Sequence, residues 1–112
     1  MKEQFDTPPD FQEEIEDLVN EVTHLVPQFN VVLIDDNNHT YDYVIEMLMK
    51  LFGHNASTAY NMACTVDANG RVVVDTTHKE RAEVKRDQIH SFGADWRLDR
   101  SVGSMSAEIE PK

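Results

Sequence analysis

The sequence predicts an α+β fold in which three short strands and three helices follow one another as β-α-α-β-α-β, behind an acidic N-terminal extension. Three observations carry this. Val31 to Ile34 is a run of four apolar residues, three of them β-branched, between polar neighbours, the pattern of a central strand buried on both faces. Two segments then carry apolar stripes at helical spacing, each set between a capping residue and a glycine. Strand-length stretches return at Arg71–Asp75 and Met105–Ile109, on either side of one more helical segment. With 112 residues and 40% hydrophobic content the chain has material for one core rather than two.

Residues 1–28 read as an extension separate from a domain at 29–112. Eight acids stand there against Lys2 alone, so this stretch holds -7 of the formal net charge of -11. Phe11, Ile15, Leu18, Val19, Val22, Leu25 and Val26 recur at helical spacing after an Asp10–Glu13 capping signal, and Pro27 closes the pattern. The extension is therefore helix-capable, while its charge density suits a segment that stays mobile until something binds it.

After the Val31–Ile34 strand, Thr40 is the N-cap of the first helix of the domain and Asp42 sits where its charge favours the helix dipole. Val44, Ile45, Met47, Leu48, Leu51 and Phe52 make its core stripe, which Gly53 ends. Asn55 caps the next helix, with Ala59, Tyr60, Ala63 and Val66 on one side and Asn69–Gly70 as its stop. Thr77 and Glu80 form a capping box for a third helix running to Gly93, charged outside and lined inside by Ala82, Ile89 and Phe92. The alternation from Met105 to Ile109 suits a closing edge strand.

The charge argues against nucleic acid and against anionic membrane as partners, since neither attracts a polyanion. The single cysteine, Cys64, allows no internal disulfide and suits a reducing cytoplasm. The longest apolar runs are too short to span a bilayer, and Met1 to Asp10 lacks a basic region followed by an apolar one, so a soluble, unexported chain is expected.

Chemistry concentrates at Asp35, Asp36, Asn37, Asn38 and His39, where a strand gives way to a helix. Asx residues favour such turns for local reasons alone. Two adjacent carboxylates nevertheless repel each other, and a visiting cation relieves that. Asp35, Asp36, His39 and Asp67 are acceptable ligands for a divalent ion, so a small metal-binding or metal-dependent enzyme is one reading. The five histidines contain no i, i+4 pair, however, and there is no Ca²⁺ loop, paired cysteine or nucleotide loop. Cys64 lies inside a helix beside Ala63, a setting for an inert thiol. No metal, cofactor or catalytic residue is expected.

The stretches NVVLIDDNNHTYDYVIEMLMKLFGH, GRVVVDTTHKERAEVKRDQI and GSMSAEIE, in this order, resemble the ClpS family, adaptors of the Clp ATP-dependent protease, from about Pro27 to Pro111. The resemblance implies a three-stranded antiparallel sheet packed with three helices. It implies a non-enzymatic adaptor that binds N-degrons, proteins whose first residue is Phe, Tyr, Trp or Leu, and delivers them to a Clp AAA+ unfoldase, ClpA-like or ClpC-like. By position, Asp35 falls to the α-amino group and Asp36 to the peptide backbone behind it, with Asn37 and His39 on the same rim. Val44, Ala63, Val66 and Met105 fall on pocket walls, Tyr41 at the pocket mouth, and Glu80 and Lys85 on the contact with the unfoldase's N-terminal domain. The chain departs from the family at four of these positions. Asp35 replaces the usual Asn, Tyr41 a gating Met, Ala63 a further Met, and Asp67 a histidine that helps hold the amine. A cytoplasmic monomer is expected.

Overall fold

Gln28–Ile34 (β1) lies between Arg71–His78 (β2) and Ser106–Pro111 (β3) in a three-stranded antiparallel sheet. This computed structural model describes residues 26–112 together with Glu14, Ile15 and Leu18; the expected helical character of the extension lies otherwise outside the described residues. The central place of β1 follows from its sequence. Both of its backbone edges are paired, and Val31, Val32 and Leu33 are each 0% exposed, as a run of apolar residues without alternation requires.

β2 runs three residues further than its apolar core suggested. Thr76 and Thr77 are β-branched and continue the ladder opposite Asn30 and Phe29, and the Thr76 hydroxyl donates to Asn30 Oδ1 at 2.7 Å. The register shifts between Val31 and Val32, which face Asp75 and Val73, so Val74 is an extra residue in β2 that drops into the core.

The first helix, α1 (Tyr41–Phe52), starts from Thr40, whose hydroxyl oxygen accepts the Tyr43 N–H at 3.1 Å. It ends at Gly53, where a φ of 71° brings the Gly53 N–H onto the Met49 carbonyl. Helix α2 (Ala56–Asn69) starts from the Asn55 side chain, which accepts the Thr58 N–H at 2.8 Å, and stops at Gly70. Tyr60, expected on its inner side, is half exposed at 51%, because Ala59, Ala63 and Val66 form the i, i+4, i+7 stripe and residue 60 sits about 100° around the helix. Helix α3 (Lys79–His90) is capped by His78, whose Nδ1 accepts the Arg81 N–H at 3.3 Å. The expected capping box from Thr77 does not form, because the sheet holds Thr77 opposite Phe29.

One core joins these elements. Leu33, Met47, Leu48 and Ile89 are wholly buried, each worth roughly 1.5–3 kcal/mol of hydrophobic stabilisation. Among the described residues no helix is long and apolar enough to cross a membrane.

Candidate functional site

The acidic corner is two successive Asx turns. Asp35 Oδ1 accepts the Asn37 N–H at 3.2 Å, and Asp36 Oδ1 accepts the Asn38 N–H at 3.0 Å. Asn37 has a φ of 61°, a left-handed conformation that asparagine tolerates better than most residues, and its carbonyl accepts two bonds from the Arg100 guanidinium, at 3.1 and 3.0 Å. The Asp35 N–H donates to the Gly70 carbonyl at 3.0 Å, which ties the corner to the end of α2, the helix that carries Asp67.

The His39 side chain is 2% exposed. Its Nδ1 lies 2.8 Å from Asp36 Oδ1 and its Nε2 lies 2.7 Å from the Gly103 carbonyl oxygen. His39 therefore does not face outward from the rim; it fixes Asp36 from behind and fastens the corner to the loop before β3. Asp35 and Asp36 are half-buried, and Asn37 is exposed.

The loop between α3 and β3 supplies the rest of the frame, with residues that the sequence did not single out. Asp95, 1% exposed, accepts the Thr40 N–H and hydroxyl on Oδ2 and the Arg97 N–H and guanidinium on Oδ1. Burial alone would push its carboxyl up, but these four donors outweigh it and hold Asp95 down at about 2. The Tyr43 hydroxyl donates to the Gly93 carbonyl, so the loop is pinned to the first turn of α1 at two points. The available signal was weak: an Asp flanked by Trp96 and Arg97 in a loop resembles any solvated acid, and only the fold brings Thr40 to it.

The four residues expected as pocket walls lie in the core. Val44, Ala63, Val66 and Met105 are at most 4% exposed and belong to the core cluster, contributed by α1, α2 and the residue just before β3. Tyr41 and Asp67 meet across the ends of α1 and α2. The Tyr41 hydroxyl donates to Asp67 Oδ2 at 2.6 Å, and the Tyr41 ring leans on Tyr60 with centroids 6.1 Å apart. The hydrogen bond to Asp67 pushes the Tyr41 phenol up to about 12.

Glu80 is exposed on α3. Lys85 is not free: its ammonium donates to the Leu51 carbonyl at the C-terminal end of α1 and lies 5.5 Å from the Phe52 ring centroid. Among the described residues no three His, Cys, Asp or Glu side chains converge as a metal site would need, and both His39 ring nitrogens are already engaged. Asp35, Asp36, His39 and Asp67 thus do not form a ligand set. Cys64 is half-buried in α2.

The acidic turn between β1 and α1, tied through Asp35 to the end of α2, belongs to a small α+β domain. Residues 25–96 match the family model described as ATP-dependent Clp protease adaptor protein ClpS. The ATP-dependent Clp protease adapter protein ClpS of Nautilia profundicola is 34% identical over 65% of this chain and 76% of its own length. That of Escherichia fergusonii is 25% identical over 74% of this chain and 78% of its own length. The structure of Agrobacterium tumefaciens ClpS2 bound to L-phenylalaninamide superposes with a TM-score of 0.66 at 20% identity, covering 77% of this chain and 98% of that one. The chain belongs to the ClpS family of Clp protease adaptors, and its three-stranded antiparallel sheet with three helices is the ClpS-like fold.

Proposed function

We propose that the acidic corner captures the free N-terminal residue of another polypeptide when that residue is Phe, Tyr, Trp or Leu, and that the captured protein is passed to a Clp AAA+ unfoldase. The observation that carries this reading is the junction of Asp35 with Gly70, which sets the carboxylates of the turn beside the end of α2 and its apolar cluster. A free α-amino group is protonated below about 7.7–8.0 and carries three donors, so it needs several acceptors around it. Asp35 receives the ammonium and Asp36, held by His39, receives the backbone behind it, with Asn37 completing the rim. Asp67 is the further acceptor at the amine. Val44, Ala63, Val66 and Met105 enclose the side chain, and Tyr41 stands at the mouth. Bound L-phenylalaninamide in Agrobacterium tumefaciens ClpS2 supports the reading, because that molecule presents a free α-amino group and a benzyl side chain.

The domain works by tethering and has no catalytic step of its own. Exposed Glu80, with Lys85 as the neighbouring charge, is the contact for the N-terminal domain of a ClpA-like or ClpC-like unfoldase. One large side chain at roughly 1.5–3 kcal/mol and two or three charged hydrogen bonds at about 1.5–3 kcal/mol each, against an association cost of about 4 kcal/mol or more, give micromolar binding.

Calorimetric titration with peptides that differ only in residue one, free and N-acetylated, tests the reading. Free Phe, Tyr, Trp and Leu peptides are expected to bind and their acetylated forms are not, since acetylation removes both charge and donors. Equal binding of free and acetylated peptides overturns it.

A further inference from the structure

Tyr41 opens α1 and Asp67 lies three residues before the cap of α2, so their 2.6 Å hydrogen bond spans the gap between two helix ends. Helical spacing places each of them one turn outside a buried residue. Val44 is three residues on from Tyr41, on the same face of α1, and Ala63 is four residues back from Asp67, on the same face of α2. The bond therefore joins the helix faces that carry Val44 and Ala63.

The fold has little need of it. Tyr41 is 38% exposed and Asp67 is exposed, and a hydrogen bond in that setting contributes little to stability. The bond does occupy the Asp67 carboxylate with a neutral donor from the protein itself. The Tyr41 ring has a second support in Tyr60, so it can leave Asp67 without losing all packing.

We propose that Tyr41 and Asp67 form a ligand-operated latch, in which the Tyr41 hydroxyl holds the Asp67 carboxylate until the ammonium of an incoming N-terminal residue replaces it and the ring withdraws from the mouth. This rests on the N-terminal-residue reading above and specifies how that site discriminates. An ammonium is a stronger donor to a carboxylate than a phenol is, so a free N-terminus compensates the opening. An acetylated or uncharged end leaves Asp67 with no replacement and leaves the latch shut. The aromatic at the mouth is thus a selector for charge on the first atom of the ligand as well as for the shape of its side chain.

A double-mutant cycle tests it, using the full chain, Tyr41→Phe, Asp67→Ala and the pair, each titrated with a Phe-initiated peptide bearing a free amine. Tyr41→Phe keeps the ring and removes the bond; it is expected to tighten binding about fivefold by releasing Asp67. Asp67→Ala is expected to weaken binding, and in its background Tyr41→Phe is expected to change nothing. Both side chains are exposed, and urea unfolding of each variant checks that the fold is kept; Asp67→Ser serves the same cycle if the alanine variant unfolds. If Tyr41→Phe leaves affinity unchanged or lower, or if its gain persists without Asp67, the latch is overturned while the N-terminal-residue reading stands. If the unaltered chain binds no free-amino peptide, both fall together.

Discussion

Asp95 Oδ2 accepts two bonds from Thr40, its backbone N–H at 2.7 Å and its hydroxyl at 2.8 Å. The same Thr40 caps α1, so one buried carboxylate sets where that helix begins and holds it to the loop that frames the acidic corner. Replacing Asp95 with alanine leaves the partly buried Thr40 and Arg97 N–H groups without their acceptor. The expected loss is roughly 2–4 kcal/mol in urea unfolding, against near-neutral effects for alanine at exposed Asp99.

The same residue gives the fold an acid limit. Its carboxyl is held at about 2 in the folded chain against an ordinary 3.8, so its contribution is fully present above the unfolded value and drains away as pH falls toward the folded one. That contribution is roughly 2 kcal/mol. Stability is expected to decline between about pH 4 and pH 2, and Asp95→Asn is expected to flatten the decline in that window. Thermal unfolding at closely spaced pH values reads the difference; identical slopes for the two chains would contradict the assignment.

His39 holds Asp36 on one ring nitrogen and the Gly103 carbonyl on the other. His39→Ala removes both and opens a void against Tyr43, whose ring lies 4.5 Å away. The expected result is a stability loss of roughly 2 kcal/mol together with weaker peptide binding. Lower affinity with unchanged unfolding would instead mark His39 as a direct contact.

The elements that local chemistry dictates were legible in the sequence. Thr40 and Asn55 cap the helices they precede, Gly53 and Gly70 end them in left-handed conformations, and the unbroken run at Val31 identifies the central strand. Long-range contacts account for what was not legible. Thr77 satisfies the pattern of a capping box, yet its pairing with Phe29, 48 positions away, outweighs the local preference. Asp95 looks like a solvated acid until the fold delivers Thr40 to it, and Lys85 looks like a surface charge until the end of α1 arrives beneath it. At the site itself, residue types and spacing supplied the acidic turn, but burial decided that His39 faces inward while Tyr41 reaches across to Asp67.

Glu80 and Lys85 separate the surface role from the structural one. Glu80 is exposed, so Glu80→Ala is expected to keep stability within about 0.5 kcal/mol and to leave peptide affinity unaltered while weakening capture by an unfoldase N-terminal domain. Lys85→Ala also strips the Leu51 carbonyl of its donor and the Phe52 ring of its cation, so a further loss of about 1 kcal/mol in stability is expected. Pull-down with the isolated unfoldase domain, beside urea unfolding of both variants, distinguishes the two contributions. Unchanged capture by Glu80→Ala would remove α3 from the interface.

Asp35 is the sharpest test of the corner, because its side chain does little for the fold. Its one bond within the described residues is to the Asn37 N–H at 3.2 Å, in an exposed turn, and its backbone bond to Gly70 survives substitution. Asp35→Ala is expected to leave unfolding within about 0.5 kcal/mol of the unaltered chain and to weaken free-amino peptides by about 10- to 100-fold, the value of one charged hydrogen bond. Asp35→Asn keeps an acceptor in the turn and removes only the charge. Two unit charges 4 Å apart in a water-like medium attract by about 1 kcal/mol, so about a fivefold loss is expected, and peptide binding should become less sensitive to added salt. Titrating the three chains at two ionic strengths separates charge from hydrogen bonding. Full affinity in Asp35→Ala would show that the ammonium lies elsewhere, and an alanine-sized loss in Asp35→Asn would show that attraction between charges, rather than an acceptor in the right place, dominates the grip.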